Sequence, residues 1–262
     1  MWREPQFFVR FTEDTALLSP KSAQPAKLSG MSAELIVALD VPEGSAIPGI
    51  LARLPASVGW YKVGLELFCA EGPAVLAPLR TSGKNIFLDL KLHDIPRTVE
   101  RAVASAARHG AGLLTLHASG GPEMIRAAAQ ARGSAGPSAP RLLAVTVLTS
   151  LDARDLELLG VQRTPADQVA ALARMAVDAG ADGIVCSAQE AGRMRALLGA
   201  GPLIVTPGIR LPSDAVGDQK RIATPGAAVR AGATHLVVGR PILEAPSPAD
   251  AVDAILTDMD LG

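Results

Sequence analysis

The chain has 262 residues, enough to bury the core of one large α/β domain or two small ones, and one domain is the simpler reading. Hydrophobic residues make up 48% and charged residues 19%, with 25 Lys+Arg against 26 Asp+Glu, so no basic field exists to hold nucleic acid or an anionic membrane. That balance of charge points to a small ligand; the two cysteines, Cys69 and Cys186, fit neither a disulfide framework nor a zinc pattern, and each lies in an apolar stretch, which points to a reducing cytoplasm.

The first thirty residues show no helical or strand period and drift into a Pro/Ser/Lys/Gln segment. They read as a weakly ordered extension, residues 1–30, ahead of a domain spanning 31–262, with Met31 a candidate start. Docking of Trp2, Phe7, Phe8 and Phe11 on the body is the alternative. The N-terminus lacks the basic-then-apolar layout of a secretion signal, and no apolar run approaches the roughly 18 residues of a membrane span.

From Glu34 the chain alternates. The runs ELIVALDV, VGWYKVG, NIFLDLKL, GLLTLHA, RLLAVTVLTS, DGIVCSA, PLIVTPGI and THLVVGRPI read as strands. Ala-rich amphipathic stretches centred near residues 50, 75, 103, 126, 170, 194 and 228 separate them, and SPADAVDAILTDM closes the chain as a last helix. Eight strand–helix repeats in about 230 residues predict a single-domain (β/α)8 TIM barrel, typically ~250 residues long. A doubly wound open sheet is the alternative, but no Gly-x-Gly-x-x-Gly opens the first helix.

Side chains at the C-terminal ends of barrel strands face the mouth, where enzymes of this fold keep their sites. The polar residues there are Asp40, Lys62, Asp89, Lys91, His117, Thr149, Ser150, Arg210, Gly239 and Arg240. In the third run, Ile86, Leu88, Leu90 and Leu92 take one face while Asp89, Lys91 and His93 take the other. A closed parallel sheet leaves that polar face no route to water except the barrel interior, so Asp89 and Lys91 are expected to pair there. Such pairs seldom add stability, which favours a functional reason for keeping them. At the other end of the chain, Gly239 and Arg240 precede the last helix, where barrel enzymes commonly hold a phosphate. Arg210 stands beside the same loops, and the polar 211–221 connection is long enough to fold over a ligand as a lid.

The motifs LDLKLHDIPRTV, ALDVP, KVGLELF, TLHASGG, VTVLTS, TPGIR, DQKRIATP and VVGRPI, in this order from Glu34 to Ile242, resemble bacterial orotidine 5′-phosphate decarboxylases. The resemblance implies decarboxylation of orotidine 5′-monophosphate to uridine 5′-monophosphate without metal or organic cofactor. It also implies a homodimer. Lys62, Asp89, Lys91 and Asp94 would form an alternating charge array, Asp94 completing the site of the neighbouring subunit, with Ile95 and Thr98 following it across the interface. Asp40 and Lys62 would bind ribose hydroxyls, Thr149 and Ser150 would lie along the pyrimidine edge, and Gln219, Gly239, Arg240 and Arg210 would hold the phosphate.

His93, His109, His117 and His235 are assigned structural roles, because no carboxylate triad accompanies them, and Ser119 is expected to cap the helix after HASGG. Two other functions stay open: a magnesium-dependent phosphosugar aldolase on the same barrel, and a nucleotide-binding protein without catalysis.

Overall fold

The computed structural model describes residues 33–136, 139–211 and 223–262. The expectations for residues 1–30, for Met31 as a start, for Gln219 and for the lid beyond residue 211 lie outside these residues.

Eight parallel strands close into a barrel: β1 (Glu34–Ala38), β2 (Trp60–Gly64), β3 (Asn85–Leu92), β4 (Ala111–His117), β5 (Arg141–Val145), β6 (Gly183–Val185), β7 (Leu203–Thr206) and β8 (His235–Val238). β1 pairs with both β2 and β8, which excludes the open-sheet alternative. The helices among the described residues are α1 (Ile47–Arg53), α2 (Leu65–Glu71), α3 (Ala77–Thr81), α4 (Pro96–Arg108), α5 (Gly121–Ser134) and α6 (Ala153–Leu158). They continue with α7 (Pro165–Asp178), α8 (Ala188–Leu198), α9 (Pro225–Arg230), α10 (Arg240–Leu243) and α11 (Pro248–Asp260).

Alternation along the strands splits the core in two. Ile36, Ala38, Phe87, Leu113, Leu143, Leu203, Val205 and Val237 fill the barrel interior. Their neighbours, among them Leu35, Val37, Tyr61, Val63, Ile86, Leu88, Leu114 and Leu236, face outward against the helices. α4 shows how a helix covers that layer: Pro96 opens it, Val99, Val103, Ala106 and Ala107 are buried, and the chain leaves through Gly110 at φ +78. Below the mouth, the Trp60 indole N–H donates to Glu34 at 2.6 Å, and buried His235 meets the indole edge-on at 6.0 Å. Gly112 makes room for this plug, since a Cβ there would lie 2.9 Å from the indole.

Four expectations need correction. Ser119 caps nothing: Gly120 is the N-cap of α5, without a side-chain cap bond, and Gly121 at φ +85 makes the turn. Cys69 is exposed on α2, not packed in an apolar layer, whereas Cys186 is buried. The helix near residue 75 is broken into α2, a 3-10 turn over Gly72–Leu76 and α3, because Gly72 takes φ +63 and Pro73 and Pro78 interrupt the donors. Finally, β1, β5, β7 and β8 stop short of the polar residues assigned to their ends, which stand instead on the segments that follow.

Candidate active site

Lys62 sits between outward-facing Tyr61 and Val63 on β2, so its side chain enters the barrel. Its ammonium meets Asp40 at 3.0 Å and Asp89 at 3.8 Å. Asp89 is shared, because Lys91 Nζ lies 2.9 Å from its other oxygen. The result is a chain of alternating charge, Asp40, Lys62, Asp89 and Lys91, of which Lys62 and Asp89 retain only 12% and 13% side-chain exposure. Mutual pairing offsets the desolvation that an isolated charge would suffer there.

Simple alternation does not place Lys91. Its φ is +49, the only positive φ of a non-glycine among the described residues, and a conformation of this kind costs of order 1–3 kcal/mol. β3 is bulged here: Leu88 pairs with Leu114 and Leu92 with Leu116, so Asp89, Leu90 and Lys91 stand opposite Thr115 alone. The Lys91 N–H, displaced from the ladder, donates to Thr115 Oγ1 at 2.9 Å, and the hydroxyl donates to Asp89 Oδ1 at 2.8 Å. Thr115 went unremarked in the sequence; a hydroxyl inside the apolar run GLLTLHA was its only signal.

The array forms one wall of a cavity of about 270 Å³ at the barrel mouth. Its floor is apolar, with Phe87, Val145, Val185, Val205 and Val237, and Val147 and Cys186 beside them. Thr149, Arg210, Gly239 and Arg240 line it as well. Arg210 is buried and donates to the Ile209 carbonyl at 2.9 Å. Gly239 lies close beside Asp40: a Cβ there would come 3.0 Å from Oδ2.

Other expected residues stand apart. Ser150 is exposed and does not line the cavity, because the chain turns away after Thr149. Asp94 is exposed, its carboxylate accepting from the Ile95 N–H at 2.8 Å, in a shallow depression with His93, Ile95, Pro96, Ser119 and Gly120. Thr98 is exposed in the first turn of α4. His93 and His117 rings lie 5.5 Å apart. Burial, then the neighbouring His93 and Lys91, hold the His117 pKa below the ordinary value, against the opposing pull of Asp89. Among the described residues, no three His, Cys, Asp or Glu side chains gather as metal ligands would.

A closed parallel barrel with a charged array and an apolar floor at its C-terminal mouth defines a (β/α)8-barrel enzyme. Residues 33–255 match the sequence model of the orotidine 5′-phosphate decarboxylase / HUMPS family, and the chain belongs to that family. A protein of Anaeromyxobacter sp. (strain K) named orotidine 5′-phosphate decarboxylase is 54% identical over 224 residues, covering 86% of this chain and 97% of its own. One of the same name from Pseudoalteromonas translucida is 48% identical over 229 residues, covering 87% and 96%. The crystal structure of orotidine 5′-phosphate decarboxylase from Lactobacillus acidophilus superposes with a TM-score of 0.78 at 39% identity, covering 87% of this chain and 99% of that one.

Proposed function

We propose that the protein is a carboxy-lyase that converts orotidine 5′-monophosphate to uridine 5′-monophosphate and CO2 in pyrimidine biosynthesis. The observation that carries this reading is the Lys62–Asp89–Lys91 array at the rim of an apolar cavity, in a chain about half identical to proteins of that name. The family description pairs the decarboxylase with a second name, so the relatives' names support the narrower choice.

Loss of CO2 from C6 breaks the ring–carboxylate bond and leaves its electron pair in the ring plane, outside the π system. A fixed cation must meet that charge. The Lys91 ammonium is assigned this role: it stabilises the carbanion and then delivers a proton to C6, leaving a neutral amine that water reprotonates. An arginine would not release the proton. Asp89 fixes the ammonium through the 2.9 Å contact, and in the substrate complex it faces the departing carboxylate. Two like charges ~4 Å apart at an effective dielectric of ~20 repel by about 4 kcal/mol, which the loss of CO2 relieves. Carbanion stabilisation is the larger part, because strain of the bound substrate is shared with the ordering of Lys91.

Asp40 and Lys62 are assigned to the ribose hydroxyls, Thr149 and Ser150 to the pyrimidine edge, and Arg210, Gln219, Gly239 and Arg240 to the phosphate. Phosphate binding then contributes remotely, by helping to order the array. A homodimer is part of the proposal, with Asp94, Ile95 and Thr98 meeting the neighbouring subunit's site. It is supported by the exposed run from His93 to Thr98, in which Ile95 keeps 68% of its surface. The catalytic domain is assigned to residues 31–262. A cytoplasmic location is proposed because Cys69 and Cys186 form no disulfide.

The test is the loss of orotidine 5′-monophosphate absorbance with purified protein, with and without a chelator. Turnover indifferent to the chelator supports a lysine-driven decarboxylation. Turnover abolished by it returns the barrel to the magnesium-dependent alternative.

A further inference from the structure

Thr115 stands behind the reacting groups, not among them. It is fully buried on β4, it does not line the cavity, and it is the one residue opposite the bulge that carries Asp89, Leu90 and Lys91. A backbone N–H can only donate, so the 2.9 Å contact from Lys91 makes Thr115 Oγ1 an acceptor. The hydroxyl has a single hydrogen, and the 2.8 Å contact directs it to Asp89 Oδ1. The Lys91 ammonium donates to that same oxygen at 2.9 Å. Three hydrogen bonds therefore close a ring through the Lys91 backbone, the Thr115 hydroxyl and the Asp89 carboxylate, and the ring returns to Lys91 through its own side chain.

We propose that Thr115 is the positioning residue of the site: its hydroxyl holds the Lys91 backbone in the left-handed region and aims the Asp89 carboxylate at the Lys91 ammonium before substrate arrives. Each part of the geometry has a counterpart in this role. A non-glycine at φ +49 persists only where its surroundings over-determine it, and the Thr115 acceptor supplies the bond that the sheet ladder gives up at the bulge. The β-branched side chain has restricted rotamer freedom, so the hydroxyl is itself fixed. Misplacing a catalytic group by about 1 Å can lower turnover by about a hundredfold, so a clamp on Lys91 acts on the chemical step more than on binding.

The inference rests on the decarboxylase reading, and the experiment separates the two. Thr115→Val keeps the shape and removes both bonds; Thr115→Ser keeps both. With orotidine 5′-monophosphate, Thr115→Val is expected to lose roughly tenfold to a hundredfold in kcat with KM changed by less than about threefold, and Thr115→Ser to stay within about threefold of the parent. A kcat for Thr115→Val equal to the parent's, or a loss confined to KM, overturns the proposal. If Thr115→Val does not fold, Thr115→Cys takes its place: the thiol is a weak donor and acceptor, so kcat must fall well below that of Thr115→Ser, and equal values overturn the proposal. If the parent enzyme shows no turnover, the decarboxylase reading fails, and hydrogen exchange at the Lys91 amide of the free protein decides the clamp. Protection in the parent and in Thr115→Ser, lost in the Val or Cys variant, supports it; equal protection in all overturns it.

Discussion

Asp89 and Lys91 are two residues apart in a strand, yet they meet at 2.9 Å because the strand is not regular between them and the next paired residue, Leu92. The same carboxylate also faces Lys62 at 3.8 Å, so one anion serves two ammoniums.

Asp89→Asn removes that anion without changing shape. Lys62 and Lys91 are then left facing each other across a neutral amide. Breaking a buried pair usually costs about 3–5 kcal/mol, and the 30% exposure of the Lys91 side chain puts this case at the low end, roughly 3 kcal/mol. Turnover is expected to fall by about two to three orders of magnitude, as for loss of one preorganised electrostatic group. Urea unfolding and steady-state kinetics on the same preparation measure both.

Gly239→Ala crowds Asp40 at the end of the site assigned to the phosphate. The added methyl carbon would lie 3.0 Å from Asp40 Oδ2 and 3.4 Å from the Ala38 side chain, so the half-exposed carboxylate beside Lys62 must shift by a few tenths of an ångström. The Asp40–Lys62 pair is solvated on the Asp40 side, and a change in stability of less than about 1 kcal/mol is expected. The effect belongs in binding: KM is expected to rise about tenfold with kcat within about threefold. A fall in kcat at constant KM would place this end of the site in the chemical step instead.

The barrel floor carries a pH dependence of its own. Burial, opposed by Glu34 and reinforced by Arg141, lowers the His235 pKa below 6.5. His235 also shares a 3.0 Å hydrogen bond with Thr234 and packs edge-on against Trp60. The folded state therefore binds fewer protons than the unfolded one. Stability is fully present above 6.5, declines as pH falls through 6.5 toward the lower folded pKa, and levels off for this group below it. His117, also lowered, adds in the same direction. Urea midpoints from pH 8 to pH 5 are expected to drop, and His235→Phe is expected to flatten part of that slope.

If Asp94 completes a neighbour's site, Lys91→Ala and Asp94→Ala proteins, each inactive, can share one good site when mixed. Statistical exchange of subunits is expected to restore up to about a quarter of the parental activity per site. No recovery after subunit exchange, shown by a mass tag, contradicts the shared site.

The barrel was legible because its strands are short, β-branched and separated by helical stretches, and because a closed sheet needs the near-continuous apolar runs seen in β4 and β8. Asp89 and Lys91 were legible as polar breaks in such a run. The bulge was not, since the i, i+2 spacing of Asp89 and Lys91 already explained their shared face without it. Thr115 was hidden for a related reason: its role depends on register with another strand, which periodicity within one strand does not encode. Ser119 misled because the preference for serine at an N-cap is weaker than the need for a left-handed glycine at position 121. Ser150 stands on the loop beyond β5, which ends at Val145, where strand periodicity no longer fixes the position of a side chain.

The central claim is that the Lys91 ammonium meets and protonates C6, and Lys91→Ala tests it most directly. With orotidine 5′-monophosphate as substrate, the variant is expected to lose turnover by at least about 10⁴-fold, the combined worth of a general acid and a preorganised charge, while uridine 5′-monophosphate still binds within about tenfold of the parent's affinity. Turnover within about tenfold of the parent would contradict it.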